Sequence, residues 1–186
     1  LKMRMMSLIL VGMFGWAVYD FIDNNEAEVE IIQLTEKQED QVQQTSEGLE
    51  IGDAAPNFRL KTSTGGNIEL TAYRGQRVVL NFWATWCPPC RVEMPDMEKL
   101  YSEKNVQVLA VNLTQSEAKI EDVTDFVTAN KLTFPILLDE QLEVATKYEV
   151  RPIPITYMID SNGIIQHKSL GALSYQQMVQ TLDAIE

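Results

Sequence analysis

Val78-Val79-Leu80-Asn81-Phe82-Trp83-Ala84-Thr85-Trp86-Cys87-Pro88-Pro89-Cys90-Arg91-Val92-Glu93-Met94 is the stretch around which the chain is organised. An apolar run reaches Trp86 and gives way to Cys-Pro-Pro-Cys, then to residues that suit a helix. Cys87 and Cys90 are the only two cysteines. A strand feeding C-x-x-C at a helix start is a redox arrangement with a physical cause. The helix N-terminus carries partial positive charge and unpaired N–H groups, so it favours a thiolate over a thiol. Cys87 is expected at that N-terminus and exposed. Cys90, one turn on, can reach back to form or resolve a disulfide with it. Structural zinc normally takes four Cys or His ligands, and two cysteines with one histidine fall short of that. A static bridge across so short a loop would remove little chain entropy, and a stapled scaffold carries more cysteines.

The 186 residues suggest one domain plus appendages. The net charge of −12 argues against nucleic acid as a partner, which calls for a basic face. That charge is uneven: residues 1–22 sum to +1, residues 23–50 to −8 and residues 51–186 to −5. Lys2 and Arg4 precede an apolar run from Met5 to Tyr19, extendable to Ile22 past Asp20. As a helix it would measure roughly 22–27 Å, at the short end for a bilayer span. Basic residues before it and acidic ones after it put the N-terminus in the cytoplasm. No A-x-A pattern precedes a cut, so residues 1–22 are expected to be an uncleaved membrane anchor, against a signal peptide cleaved within 23–50. Residues 23–50 are rich in Glu, Gln and Asp and lack aromatics. They read as an acidic linker, spanning roughly 30 Å root-mean-square as a flexible chain.

From 51 to 186 the pattern is that of a folded domain. Residues 58–61 and 67–71 flank Ser63-Thr64-Gly65-Gly66, a hairpin signal. Residues 77–84 are apolar on both faces, as a central strand is. A helix is expected from Cys87 to about Glu103, with Pro88 in its first turn and a kink at Pro95. A strand at 106–113, a helix at 117–130, a strand at 134–138 and a helix at 140–148 follow. Strands at 155–159 and 164–169 enclose the turn Ser161-Asn162-Gly163. An amphipathic helix at 174–185 presents Met178, Leu182 and Ile185 on one face. Alternating strands and helices followed by a hairpin imply an α/β domain, a mixed sheet with helices on both faces.

Phe82-Trp83-Ala84-Thr85-Trp86-Cys87-Pro88-Pro89-Cys90, with Glu93, Met94 and Pro95, resembles the thioredoxin-fold active site in its TlpA/ResA-like branch. Gly52-Asp53-Ala54-Ala55-Pro56-Asn57-Phe58 is similar to the opening of the same domains. The resemblance covers roughly residues 51–186 and implies a membrane-anchored, extracytoplasmic thiol-disulfide oxidoreductase with a thioredoxin-like fold. It implies that a cis-proline, matched here by Pro154, faces the cysteines. Ile155 stands where this branch often has threonine. Many thioredoxins hold a buried aspartate where this chain has Asn81, which takes no proton. The branch assigns that task to a glutamate matched by Glu93. Taken alone, a helical glutamate is most often on a solvated face, so both readings of Glu93 stand at this point. Copper-delivering relatives pair C-x-x-x-C with a distal histidine. The spacing here is C-x-x-C, so His167 reads as a plain strand residue.

The resemblance implies that Cys87 attacks a client disulfide and that Cys90 resolves the mixed disulfide, with Glu93 helping to deprotonate Cys90. Trp86, Pro88, Ile153 and Pro154 would contact the client. No metal and no cofactor beyond the Cys87–Cys90 disulfide is called for. Expected partners are a client protein disulfide, a membrane thiol-disulfide electron donor and the membrane itself, with the domain a monomer outside the cell membrane. By resemblance, cytochrome c maturation ranks first among pathways, with apocytochrome c as client, ahead of spore-envelope or general repair clients. Two other activities fit the same fold. A peroxiredoxin-like peroxidase wants Thr-x-x-Cys after an upstream proline, and a copper metallochaperone would bind Cu(I) stoichiometrically.

Overall fold

The structure is a computed structural model and describes residues 46–185. The anchor expected at residues 1–22 and the linker from 23 to 45 lie outside these residues. Among the described residues no helix is long and apolar enough to cross a membrane. Seven strands form one mixed sheet: β1 (Arg59–Thr62), β2 (Asn67–Glu69), β3 (Val78–Trp83), β4 (Gln107–Asn112), β5 (Ile136–Leu138), β6 (Ile155–Ile159) and β7 (Ile165–Leu170). Their spatial order is β2-β1-β5-β4-β3-β6-β7. The β3–β4 and β4–β5 pairs are parallel, while β6 runs antiparallel to β3. The helices are α1 (Pro88–Glu103), α2 (Glu121–Ala129), α3 (Glu143–Lys147) and α4 (Tyr175–Leu182).

β3 is buried along its whole length, as a strand apolar on both faces must be. Its side chains alternate between two cores. Val79 and Trp83 pack with Cys90, Met94, Met97 and Leu100 of α1, and with side chains of α2 and α4. Leu80 and Phe82 face the second core, with Tyr148, Tyr157 and Val144. Asn81 therefore points toward α1 from the middle of an apolar strand.

α1 begins with Cys87 as N-cap and prolines in its first two positions, where the missing N–H groups would have no intrahelical partner anyway. It continues through Pro95 to Glu103. An interior proline costs about 3 kcal/mol, and burial of Met94, Met97 and Leu100 around it offsets that at roughly 1.5–3 kcal/mol each. α4 is closed by a capping box between Ser174 and Gln177, and Met178, Leu182 and Ile185 are buried as expected.

Among the boundaries that differ from the sequence reading, three have a visible physical cause. The folded unit already includes Ser46–Glu50, read from composition as linker: Ala54 N–H donates to Ser46 O and Gly48 N–H to Ala54 O. A Cβ at Gly48 would sit 2.2 Å from Asp53 Oδ2, so a larger residue there would displace the Asp53 side chain. The helix expected at 117–130 starts only at Glu121, because residues 114–116 form a 3-10 turn and the Glu117 carboxylate is drawn aside to Thr85 and Asn112. The helix expected at 140–148 shrinks to Glu143–Lys147, because Leu142 takes a left-handed conformation (φ 56°) and the buried Asp139 accepts the Ala145 N–H.

Candidate active site

Strand β3 delivers the chain to the C-terminal end of the central strands, and α1 starts five residues later. In that short link lie Thr85, Trp86 and Cys87. Cys87 and Cys90 are joined in a disulfide with a Cα–Cα distance of 5.3 Å. Cys90 N–H donates to Cys87 Sγ at 3.3 Å. Prolines at 88 and 89 supply no N–H, so this donor comes from the third helical residue. Cys87 was expected to be exposed and is instead buried, at 2 %. The reason is tertiary: the loop before β6 covers it, with the Ile153 carbonyl oxygen 3.8 Å from Sγ. A disulfide sulfur carries no proton, so that approach is a van der Waals contact.

Of the residues expected to meet a client, Trp86 is 54 % exposed and its indole N–H donates to Ser116 Oγ at 3.1 Å. Pro88 is exposed, Ile153 half-buried and Pro154 buried. The Ile153–Pro154 peptide is cis, and so is Arg151–Pro152. The Pro154 carbonyl accepts the Gly171 N–H at 2.8 Å, which ties this loop to the end of β7. His167 sits on β7 in register with Met158, on the strand where the sequence placed it.

Glu93 is not on a solvated face. It is 1 % exposed. Its Oε1 accepts from Asn81 Nδ2 at 2.7 Å, and its Oε2 accepts the Leu173 N–H at 3.0 Å. Burial pushes its pKa up to about 7, and the two hydrogen bonds pull partly against that. An acid in this position, one turn beyond Cys90, can exchange a proton near neutral pH. Asn81 Nδ2 also donates to Thr156 Oγ1 at 3.0 Å, while its Oδ1 is buried without a partner.

Two supports of the site carried no sequence signal. Glu117 Oε1 accepts the Thr85 N–H at 2.8 Å and Asn112 Nδ2 at 2.7 Å, and Glu117 Oε2 accepts the Thr85 hydroxyl. The sequence placed Glu117 only as the first residue of the helix expected at 117–130. Leu173 contributes through its backbone, which no side-chain pattern reports.

The residues match the model of the AhpC/TSA family over 51–168. The chain is 40% identical over 139 residues to the thiol-disulfide oxidoreductase ResA of Geobacillus thermodenitrificans, covering 73% of this chain and 78% of that one. This chain belongs to the ResA-like thiol-disulfide oxidoreductases of the AhpC/TSA family. Within that family it is also 38% identical to the thioredoxin-like protein YneN of Bacillus subtilis, over 95% of this chain and 92% of the other. The crystal structure of StoA from Bacillus subtilis superposes with a TM-score of 0.62 at 35% identity, covering 69% of this chain and 98% of StoA. The fold is thioredoxin-like, as the sequence resemblance implied, and the activity is thiol-disulfide exchange.

Proposed function

We propose that this enzyme reduces specific protein disulfides outside the cell membrane, with cytochrome c maturation as its pathway. The observation that carries this reading is the Cys87–Cys90 pair at the N-terminus of α1, with a buried acid one turn beyond it and the Ile153–Pro154 loop against Cys87. In the reduced enzyme the Cys87 thiolate attacks one sulfur of a client disulfide. A Cys87–client disulfide forms, and the second client sulfur leaves as a thiolate that takes a proton from water. Cys90 then gives its proton to Glu93 and attacks Cys87 Sγ. The client's first sulfur departs as a thiolate, the Cys87–Cys90 disulfide closes, and two electrons have passed to the client.

Trp86, Pro88, Ile153 and Pro154 line the approach to Cys87 and hold the client chain beside it. The disulfide is the only redox group the cycle needs. A membrane dithiol donor restores the thiols, and the apolar run in residues 5–22, behind Lys2 and Arg4, keeps the domain near it. Extracytoplasmic placement agrees with a cysteine pair that must be re-reduced where no soluble thiol pool exists. The TlpA/ResA-like resemblance supports apocytochrome c as client and a monomeric domain.

The test is Cys90→Ser in intact cells. Without the resolving thiol the Cys87–client disulfide persists, and mass spectrometry of the trapped species should return apocytochrome c. Trapping of other proteins alone would redirect the pathway. Absence of any covalent partner, together with rapid hydrogen peroxide turnover by the wild type, would replace the protein-reductase reading with a peroxidase.

A further inference from the structure

The Glu93 carboxylate has two partners of different kinds. The Leu173 N–H is backbone and can only donate, and it holds Oε2 as an acceptor. Asn81 is a side-chain amide, with a donor at one end and an acceptor at the other. Its donor end faces both Glu93 Oε1 and Thr156 Oγ1, and its acceptor end is buried with no partner. Asn81 itself is fully buried. An orphaned buried acceptor costs about 1–3 kcal/mol, a cost that a donor reaching Oδ1 would remove.

From this geometry we infer that Asn81 is a positioning residue whose side-chain amide turns over when Glu93 takes up a proton. The inference rests on Glu93 being the proton acceptor for Cys90. When the Cys90 S–H bond breaks, its electron pair stays on sulfur and the proton moves to the carboxylate. Oε2 is already occupied by a fixed donor, so the proton settles on Oε1. The new O–H needs an acceptor, and the Asn81 N–H₂ now opposes it donor to donor. Rotation by about 180° about the terminal torsion, which is broad and roughly two-fold for asparagine, brings Oδ1 to Oε1–H. The Thr156 hydroxyl follows, since it donates as readily as it accepts. When the proton leaves, the amide turns back. An aspartate at this position could accept from the neutral acid but would repel its charged form, and an apolar residue could serve neither.

The groups on the Glu93 carboxylate are Asn81 on β3 and the Leu173 N–H after β7, with Cys90 one turn back on its own helix. Beyond Asn81, the neutral Thr156 hydroxyl on β6 completes the set. In the oxidised protein no charged side chain among the described residues shifts the Glu93 pKa. In the reduced enzyme the cysteine thiols titrate beside it, so the amide is compared with the Glu93 Cδ shift itself and not with pH alone.

The experiment is nuclear magnetic resonance on the full chain, uniformly labelled with carbon-13 and nitrogen-15 and kept reduced with a phosphine, from about pH 5 to about pH 9 around the acid's midpoint. The Glu93 Cδ shift reports its charge. Above the midpoint the Asn81 side-chain N–H₂ protons should show nuclear Overhauser contacts to the Thr156 methyl and the Glu93 methylene. Below it those contacts should be lost, with the same midpoint as the Cδ shift. In Glu93→Gln the pattern should be independent of pH. Contacts that persist while Cδ titrates would make Asn81 a fixed donor and overturn the inference alone. A Cδ shift that never titrates in this range would remove the proton-acceptor reading of Glu93 and the inference with it.

Discussion

The Leu173 N–H donates to Glu93 Oε2 at 3.0 Å, joining the loop before α4 to the middle of α1. With Asn81 on the other oxygen, it holds a carboxyl group that burial keeps largely neutral up to about pH 7. An acid whose folded pKa is raised binds more protons folded than unfolded between the two values. Stability contributed by the neutral form is thus full below about 4.5 and is lost as pH rises toward 7. A shift of this size corresponds to roughly 3 kcal/mol. Urea unfolding of the oxidised protein at about pH 5 and about pH 8 should therefore show wild type losing up to that amount relative to Glu93→Gln. Parallel pH dependences would mean that Glu93 does not titrate in this window.

In the reduced enzyme the same substitution acts on rate. A nearby carboxylate opposes a second negative charge, so Glu93→Gln should lower the cysteine pKa values while removing the proton acceptor for Cys90. Resolution of the mixed disulfide should slow by about 10²-fold, the low end for general acid–base help, because thiols are already fairly acidic. Thiol alkylation against pH, alongside disulfide-reduction kinetics, reads both effects. Superimposable profiles for the two proteins would send the search for the proton acceptor elsewhere.

Cys87 Sγ draws its backbone hydrogen bond from Cys90 alone, since Pro88 and Pro89 have no N–H. A thiolate with few donors makes a reducing couple. The midpoint should lie nearer the roughly −270 mV of thioredoxin than the roughly −120 mV of a strong oxidant. Pro89→Ala restores an N–H at the second helical position, from which an N-cap acceptor is also reached. At about 1.5–3 kcal/mol for a hydrogen bond to a charge, the midpoint should rise by about 30–60 mV. Equilibration against glutathione measures it, and an unchanged potential would show that the new N–H does not reach the sulfur.

Glu117 takes three hydrogen bonds from Thr85 and Asn112, just before the redox pair. Glu117→Ala leaves the Thr85 amide and Asn112 Nδ2 without partners and should cost about 1–3 kcal/mol in chemical denaturation. Glu117→Gln keeps an acceptor at Oε1 and gains a donor toward the Thr85 hydroxyl, so it should stay close to wild type. Equal losses in both variants would mean that the negative charge, rather than the hydrogen-bond geometry, holds the loop.

Two helices end in left-handed residues that are not glycine: Lys131 (φ 53°) after α2 and Glu149 (φ 50°) after α3. In both, the next residue's N–H reaches back to the helix, Leu132 to Val127 O and Val150 to Ala145 O, forming Schellman motifs. A side chain in this conformation costs about 1–2 kcal/mol, and glycine gives back about 0.5–1 kcal/mol in unfolded-state entropy. Lys131→Gly and Glu149→Gly should each raise the melting temperature by up to about 2–4 °C. A fall in both would mean that the native side chains contribute contacts worth more than the strain.

The sequence by itself determined the central strand, because a short run of β-prone residues, apolar on both faces apart from Asn81 and followed directly by a helix start, suits the inside of a sheet. It determined the redox pair and the start of α1 as well, since Cys-Pro-Pro-Cys joins a nucleophile to first-turn prolines within one local segment. The last helix was legible for the same reason, its apolar residues repeating with the helical period. The tertiary structure alone decided the environment of those residues. Glu93 becomes a buried acid only because Asn81, twelve residues away, and Leu173, eighty residues away, converge on it. Cys87 is covered only because the Ile153 loop folds over it. Glu117 leaves its expected helix for partners on two other segments. Local patterns report backbone preference and which side is apolar. Burial, and with it the pKa of an acid, depends on which distant segments supply the walls, and no periodicity in the chain encodes that.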